Sequence, residues 1–275
     1  MNTPQPKVTF VTVCYRTPGL IRQLLKGFEA AHLPFEFEYF LVDNAAGDGT
    51  GVMVREEFPW VKIIDFQGNV GFGAGNNLAF AQAKGEYIML VNPDLTVFPG
   101  EFEKLISFVD AHSDIGFVGP QLLNPDRSLQ RSFHRFPNPL IPLYRRTSLG
   151  KTQWGQRAVD RYLMRDADPQ LVQDVDGLFG AAILIRRSAL EHIGYFDEQF
   201  FMYFEDIDLC RRAWESGWRV TYAPVASFVH YHQRESEVKH IWKLLTNRVV
   251  REHIKSALRY FWKYRGKAHP RGASC

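Results

Sequence analysis

The sequence predicts an α/β protein: an open, Rossmann-like, doubly wound mixed sheet with helices on both faces and a helical extension at the C-terminus. Three observations predict it. Short, nearly continuous apolar runs suit strands covered on both faces. Segments of helical length separate these runs, and such alternation winds right-handed around a sheet. Polar residues recur where the runs end, and open α/β sheets bind ligands at that edge.

The strands are expected at Val8 to Val13, Phe37 to Asp43, Val61 to Phe66 and Glu86 to Val91. Helices are expected after Pro18, after Asp48 and after Gly73. A fourth helix, Pro99 to His112, should carry Pro99 near its first turn, and Ile115 to Leu123 should continue the sheet. Residues 133–174 hold four prolines, several arginines and no clear period, so they read as a long excursion with some helix in it. Order resumes with a strand at Ala181 to Arg186, a short helix, an aromatic loop, a helix from about Phe204 to Ser216 and a strand at Arg219 to Tyr222. In the tail, Ile241, Leu245, Val249, Ile254, Leu258 and Phe261 fall near helical spacing. The expected division is residues 1–232 as one domain and 233–275 as a basic helical extension.

Composition narrows the class. Of 275 residues 45% are hydrophobic, enough for a sizeable core, so disorder is excluded. The net charge of +3 gives no general argument for nucleic acid as a partner. Its excess sits in the tail, where Val238 to Lys267 carries nine Lys or Arg against the single acid Glu252. Cys14, Cys210 and Cys275 are far apart and in no metal spacing, which fits a reducing compartment without disulfides. The first residues lack a signal-peptide pattern and no run is long enough to span a bilayer, so the expectation is a cytoplasmic chain, at most peripheral on the inner face of the membrane.

Four constellations could carry chemistry. Tyr15 and Arg16, Asp43 and Asn44, and Asn92 and Asp94 follow three strands, either as turn formers or as one ligand-binding edge. "GNVGFGAGNN" has its glycines at 71, 73 and 75, which is not the dinucleotide spacing; it serves either a phosphate or polar base at a helix start, or close packing. Glu205, Asp206 and Asp208 open a helix, where acids commonly just complement the dipole; the flanking Phe200, Phe201, Tyr203 and Phe204 would instead desolvate a carboxylate and tune it as a base. His230 and His232 share a face if their segment is a strand, and one of them could join a strand-end aspartate on a metal.

Taken in order, "VTFVTVCYRT", "FLVDNAAGDGT", "GNVGFGAGNN", "IMLVNPDLTV", "GLFGAAILIRRSALEHIGYFDEQFFMYFEDIDLCRRAWESGWRVTYAP" and "VASFVHYH" resemble the inverting family 2 glycosyltransferases of GT-A fold, in particular their bacterial rhamnosyltransferase-like branch. The resemblance covers about Val8 to His232. It implies a nucleoside diphosphate sugar donor, dTDP-L-rhamnose by best match, and a glycan or lipid-linked glycan acceptor. It implies Asp94 and His230 on a Mg²⁺ or Mn²⁺ ion, with Asn92 helping to hold the donor. Asp43 would bind the nucleobase, with the backbone from Thr12 to Tyr15 lining that pocket and Arg16 at its rim. Asn69 and Asn76 correspond to positions near the nucleotide, and Asp176 and Gly177 to the region of the transferred sugar. Asp206 corresponds to the general base, Glu205 to a residue orienting the acceptor, and Asp208 to a structural acid.

This chain departs from the family in two places. Asn92 stands at the first acid of the family's D-x-D, and Arg16 where many members carry Asn. The excursion and the tail match no family motif and are expected to shape the acceptor site or a contact between copies. Two readings of the tail stand: a basic, aromatic helix on an anionic membrane, through Trp242, Phe261 and Trp262, or a packed helix with a solvated basic face.

Overall fold

The computed structural model describes residues 5–45, 47–231 and 248–272. Strands β1 (Val8–Cys14), β2 (Phe37–Asp43), β3 (Lys62–Asp65) and β4 (Tyr87–Val91) alternate with helices α1 (Pro18–Ala31), α2 (Thr50–Glu57) and α3 (Phe72–Phe80), close to the expected bounds. These four strands run parallel in the order β3-β2-β1-β4, so the residues following β1, β2 and β4 meet at one edge.

Beyond β4 the sheet becomes mixed. β5 (Leu95–Thr96), α4 (Glu101–Asp110) and β6 (Ile115–Leu123) come next in sequence. Gly100 caps α4 at φ +83°, so the helix starts two residues beyond Pro99. Later in the chain, β11 (Ala182–Arg186) inserts antiparallel between β4 and β6, and β12 (Arg219–His230) lies parallel to β6. The strand expected to end at Tyr222 continues to His230. Pro224 lacks an N–H and the ladder shifts register between Tyr222 and Ser227, so the strand bends but does not stop.

The excursion holds short strands β7 (Leu129–Gln130), at its entry, and β8 (Phe133–His134), helices α5 (Ile141–Tyr144) and α6 (Gln153–Tyr162), and β9 (Gln173–Asp174). β10 (Gly177–Leu178) pairs with β8. Helices α7 (Arg187–Ile193), α8 (Glu205–Glu215) and α9 (Arg248–Lys263) complete the chain. α1, α2 and α4 bury Ile21, Leu24, Phe28, Val54 and Leu105 against one sheet face; α3, α7 and α8 bury Phe80, Leu190, Leu209 and Cys210 against the other. Helices on both faces are thus observed, and among the described residues no helix is long and apolar enough to cross a membrane.

α9 turns a different face inward from the one its apolar residues suggested. Val250, Ala257, Tyr260 and Tyr264 are buried, while Ile254, Leu258 and Trp262 are exposed at 42%, 67% and 76%. The inward face packs on Phe200, Phe204 and Ile207. Asp208, fully buried, holds it there by accepting from Tyr264 Oη at 2.8 Å and Lys263 Nζ at 2.6 Å. Ile241, Trp242, Leu245, His232 and the 232/233 boundary lie outside the described residues.

Candidate active site

The polar edge assembles from the ends of β1, β2 and β4. Tyr15 is 44% exposed, and the Arg16 guanidinium sits 5.2 Å from its ring centre on backbone at φ +56°. Asp43 is buried; its Oδ1 accepts from the Ala45 N–H at 3.0 Å, and its Oδ2 has no hydrogen-bond partner. Burial pushes this carboxyl above its usual range; the Ala45 N–H opposes that, and Asp48 and Asp65 add to it. A buried carboxylate oxygen left unpaired in this way is suited to a donor from a ligand.

Asp94 meets His230 because β12 pairs with β5, setting His230 opposite Leu95. His230 Nε2 lies 3.1 Å from Asp94 Oδ1, and its Nδ1 lies 2.6 Å from Gln130 Oε1. A histidine nitrogen and a carboxylate oxygen thus face each other, a pair that could share one metal cation. The oxygen and nitrogen donors suit Mg²⁺ or Mn²⁺. Among the described residues no cluster of three or more His, Cys, Asp or Glu could hold a metal, so Asp94 and His230 would need ligands from a bound diphosphate or water.

Asp206 lies a short backbone path from this edge. The Asn92 N–H donates to Ala181 O at 2.9 Å, and the N–H of the preceding residue, Gly180, donates to Asp206 Oδ2 at 3.1 Å. Asp206 is half-buried and lines a 70 Å³ cavity with Arg145, Tyr162, Tyr203 and His253. Desolvation raises its carboxyl to about 6, against the pull of the Gly180 and Ile207 N–H groups and of Arg145. Glu205 is buried with Oε2 unpaired, and desolvation first, then the neighbouring Asp206, push it well above the usual range. Tyr203 and Phe204, at φ +67° and +68°, hold left-handed backbone just before α8. Such strain costs about 1–3 kcal/mol per residue and here sets the angle at which the helix presents its acids.

The remaining sequence candidates are placed differently. Thr12 is buried, with its hydroxyl bonded to Tyr39 Oη and Val91 O and its backbone in the sheet, so it braces the core instead of lining a pocket. At the α3 start two N–H groups are already taken: Asn69 Oδ1 accepts from the Gly71 N–H and Phe201 O from the Phe72 N–H. A Cβ on Gly71 would stand 2.1 Å from Phe201 O, so close approach explains that glycine. Asn76 is buried and donates back to Phe72 O at 2.9 Å. Asp176 cannot offer a free carboxylate to a transferred sugar, because it accepts from the Phe136 N–H, His269 Nε2 and Arg271 Nη1. Gly177 lets the His134 ring approach to where a side chain would stand.

Sequence reasoning missed Gln130, Arg145 and His253. Gln130 and Arg145 lie in or beside the segment without period, and His253 is a lone histidine between the apolar positions of the tail, with no motif around it. The His253 ring, desolvated, is pushed down to about 3.

Comparison with known proteins follows the same lines. The model of a family described as "Glycosyltransferase like family 2" matches residues 4–253. A Mycobacterium tuberculosis N-acetylglucosaminyl-diphospho-decaprenol L-rhamnosyltransferase is 31% identical over 202 residues, covering 70% of this chain and 65% of the relative. The chain therefore spans just under two thirds of that relative's length. Rhamnosyltransferase WbbL of Escherichia coli K12 is 26% identical over 208 residues, 72% of each. Among solved structures, mannosyltransferase PcManGT from Pyrobaculum calidifontis, in complex with GDP-Man and Mn²⁺, aligns with a TM-score of 0.58 at 20% identity, over 94% of this chain and 65% of that one. GalNAc-T7 with UDP, GalNAc and Mn²⁺ aligns at 0.61 and 13% identity, over 95% and 48%. At these identities the two structures share the fold.

Proposed function

We propose, on the premise that this chain belongs to the glycosyltransferase like family 2, that it transfers a sugar from a nucleoside diphosphate donor to a hydroxyl of a growing bacterial cell-surface glycan, with inversion. The best donor is dTDP-L-rhamnose, since the mycobacterial and Escherichia coli relatives are both named as rhamnosyltransferases. The mycobacterial name also suggests a lipid-linked acceptor.

The observation that carries this reading is the path from Asn92 through Ala181 and Gly180 to Asp206, which brings a half-buried carboxylate of raised pKa beside the polar strand edge. Asp206 takes the acceptor hydroxyl proton, the oxygen bonds to the anomeric carbon, and the bond to the diphosphate breaks with its electrons leaving on the nucleotide. Glu205, whose carboxyl burial and the neighbouring Asp206 push well above the usual range, orients the acceptor beside it. Asp43 Oδ2 accepts from the nucleobase, with Tyr15 and Arg16 at the rim. Asp94 and His230 would hold Mg²⁺ or Mn²⁺, whose charge stabilises the departing diphosphate.

The exposed Ile254, Leu258 and Trp262, interleaved with Arg251, Lys255 and Arg259, favour a peripheral contact with an anionic membrane. The test of the donor is a thermal-shift panel of dTDP-rhamnose, UDP-hexoses and GDP-mannose with and without Mn²⁺. The dTDP sugar should stabilise most and only with metal; a UDP-hexose that stabilises more replaces the donor, and no response to any nucleotide removes the transferase reading.

A further inference from the structure

Between α6 and the C-terminal residues lies a second cavity, of 430 Å³, within the range of sites for small organic ligands. It shares Ile141 and Tyr162 with the cavity of Asp206, so the two are adjacent through one wall. Arg157 and Arg161 line it, and neither has an acid partner among the described residues; the acids nearby are already paired. Asp166 pairs with Arg135, Asp160 with Arg165, and Asp176 with Arg271 and His269. Two arginines at i and i+4 repel each other, a cost of a few tenths of a kcal/mol that a bound anion reverses.

The same helix face adds an apolar element. Trp154, Arg157, Ala158 and Arg161 fall at i, i+3, i+4 and i+7, and Trp154 is 58% exposed. Leu140 and Leu143, beside and on α5, are exposed at 50% and 44%. Cation pair and apolar surface thus adjoin, outside the nucleotide edge, next to the carboxylate that would receive the acceptor hydroxyl.

We infer that Arg157 and Arg161 bind the diphosphate of a prenyl-diphosphate-linked acceptor, with Trp154 and the α5 leucines against the start of its lipid. The inference rests on the transferase reading only for the word acceptor; the anion site stands on its own geometry. Guanidinium groups suit it because they bind phosphate through paired N–H donors and stay charged at any working pH.

The full chain is titrated calorimetrically with farnesyl diphosphate, inorganic pyrophosphate and farnesol, each with and without saturating dTDP. Farnesyl diphosphate should bind tightest, farnesol not measurably, and dTDP should not displace it. The R157Q/R161Q double variant should weaken farnesyl diphosphate at least about tenfold while keeping the melting temperature and the thermal shift given by dTDP-rhamnose. Both residues are exposed, so loss of folding is not expected. Displacement by dTDP, undiminished binding to the double variant, or pyrophosphate binding as tightly as farnesyl diphosphate would each overturn the assignment. Arginine-dependent farnesyl diphosphate binding by a chain that no nucleotide stabilises would instead sink the transferase reading and keep the anion site.

Discussion

Asp206 and Asp208 stand two residues apart on one helix and live in opposite surroundings. Asp208 is fully buried and surrounded by cations and a phenol, bonded to Arg212, Lys263 and Tyr264. Asp206 is half-buried and faces a cavity; its bonds come from uncharged N–H groups, with Arg145 the nearby cation. The difference teaches that the helix start does not assign function to its acids. What surrounds each one differs: Lys263 and Tyr264, at the end of α9, bond Asp208, whereas Asp206 faces a cavity that α9 lines only with His253.

The largest way to sharpen this contrast is Asp206→Asn, which should lower kcat by about 10³-fold while leaving donor binding intact, as the loss of a positioned base does. Near-full turnover in a donor-saturated assay would break the base assignment. Asp208→Ala should do the reverse, costing about 1–3 kcal/mol of stability by leaving the buried Tyr264 hydroxyl without its acceptor and loosening α9. Urea unfolding checks it, and an unchanged midpoint would refute the anchoring role.

pH gives an intermediate effect with a definite sign. Asp206 must be deprotonated to act, so the rate should fall about tenfold per unit below about pH 6, the value to which its carboxyl is raised. Stability runs the other way. Both acids hold protons in the folded chain at pH values where the unfolded chain has lost them, so stability is full below the ordinary carboxyl range and falls as pH rises through the raised values. Glu205→Gln should therefore raise Tm at pH 8, by ~3 °C for each kcal/mol recovered; a lower Tm there would mean that the buried carboxylate is stabilised by something other than its proton. The smallest effect is expected from Leu258→Glu with Trp262→Glu, within about 0.5 kcal/mol in stability but weakening sedimentation with phosphatidylglycerol vesicles. Unchanged sedimentation would return this face to solvent.

Legibility followed the same division. The parallel strands β1, β2 and β4 could be read almost residue by residue, because a strand buried on both faces writes itself as an apolar run. The acids following them were also legible, since a polar residue ending such a run has few places to be but the sheet edge. The glycines of "GNVGFGAGNN" were ambiguous until Gly71 met Phe201 O, a contact 130 residues away in sequence. The tail misled for a related reason: Ile254 and Leu258 look like core residues, yet α9 buries Ala257 and Tyr260, which fit closely against the aromatic loop. In residues 133–174 short elements pinned by long-range bonds leave no period to read, and both cavities use that segment.

By itself the sequence determined which segments are strands and helices, which strand ends carry acids, and which family the chain resembles, because all three depend on neighbours in the chain or on their order along it. Only the tertiary structure decided what surrounds each acid. What a polar side chain can do depends on the groups within a few ångströms, and here those neighbours come from far away: Gly180 and Arg145 for Asp206, Lys263 for Asp208, Asp94 for His230, Arg271 for Asp176.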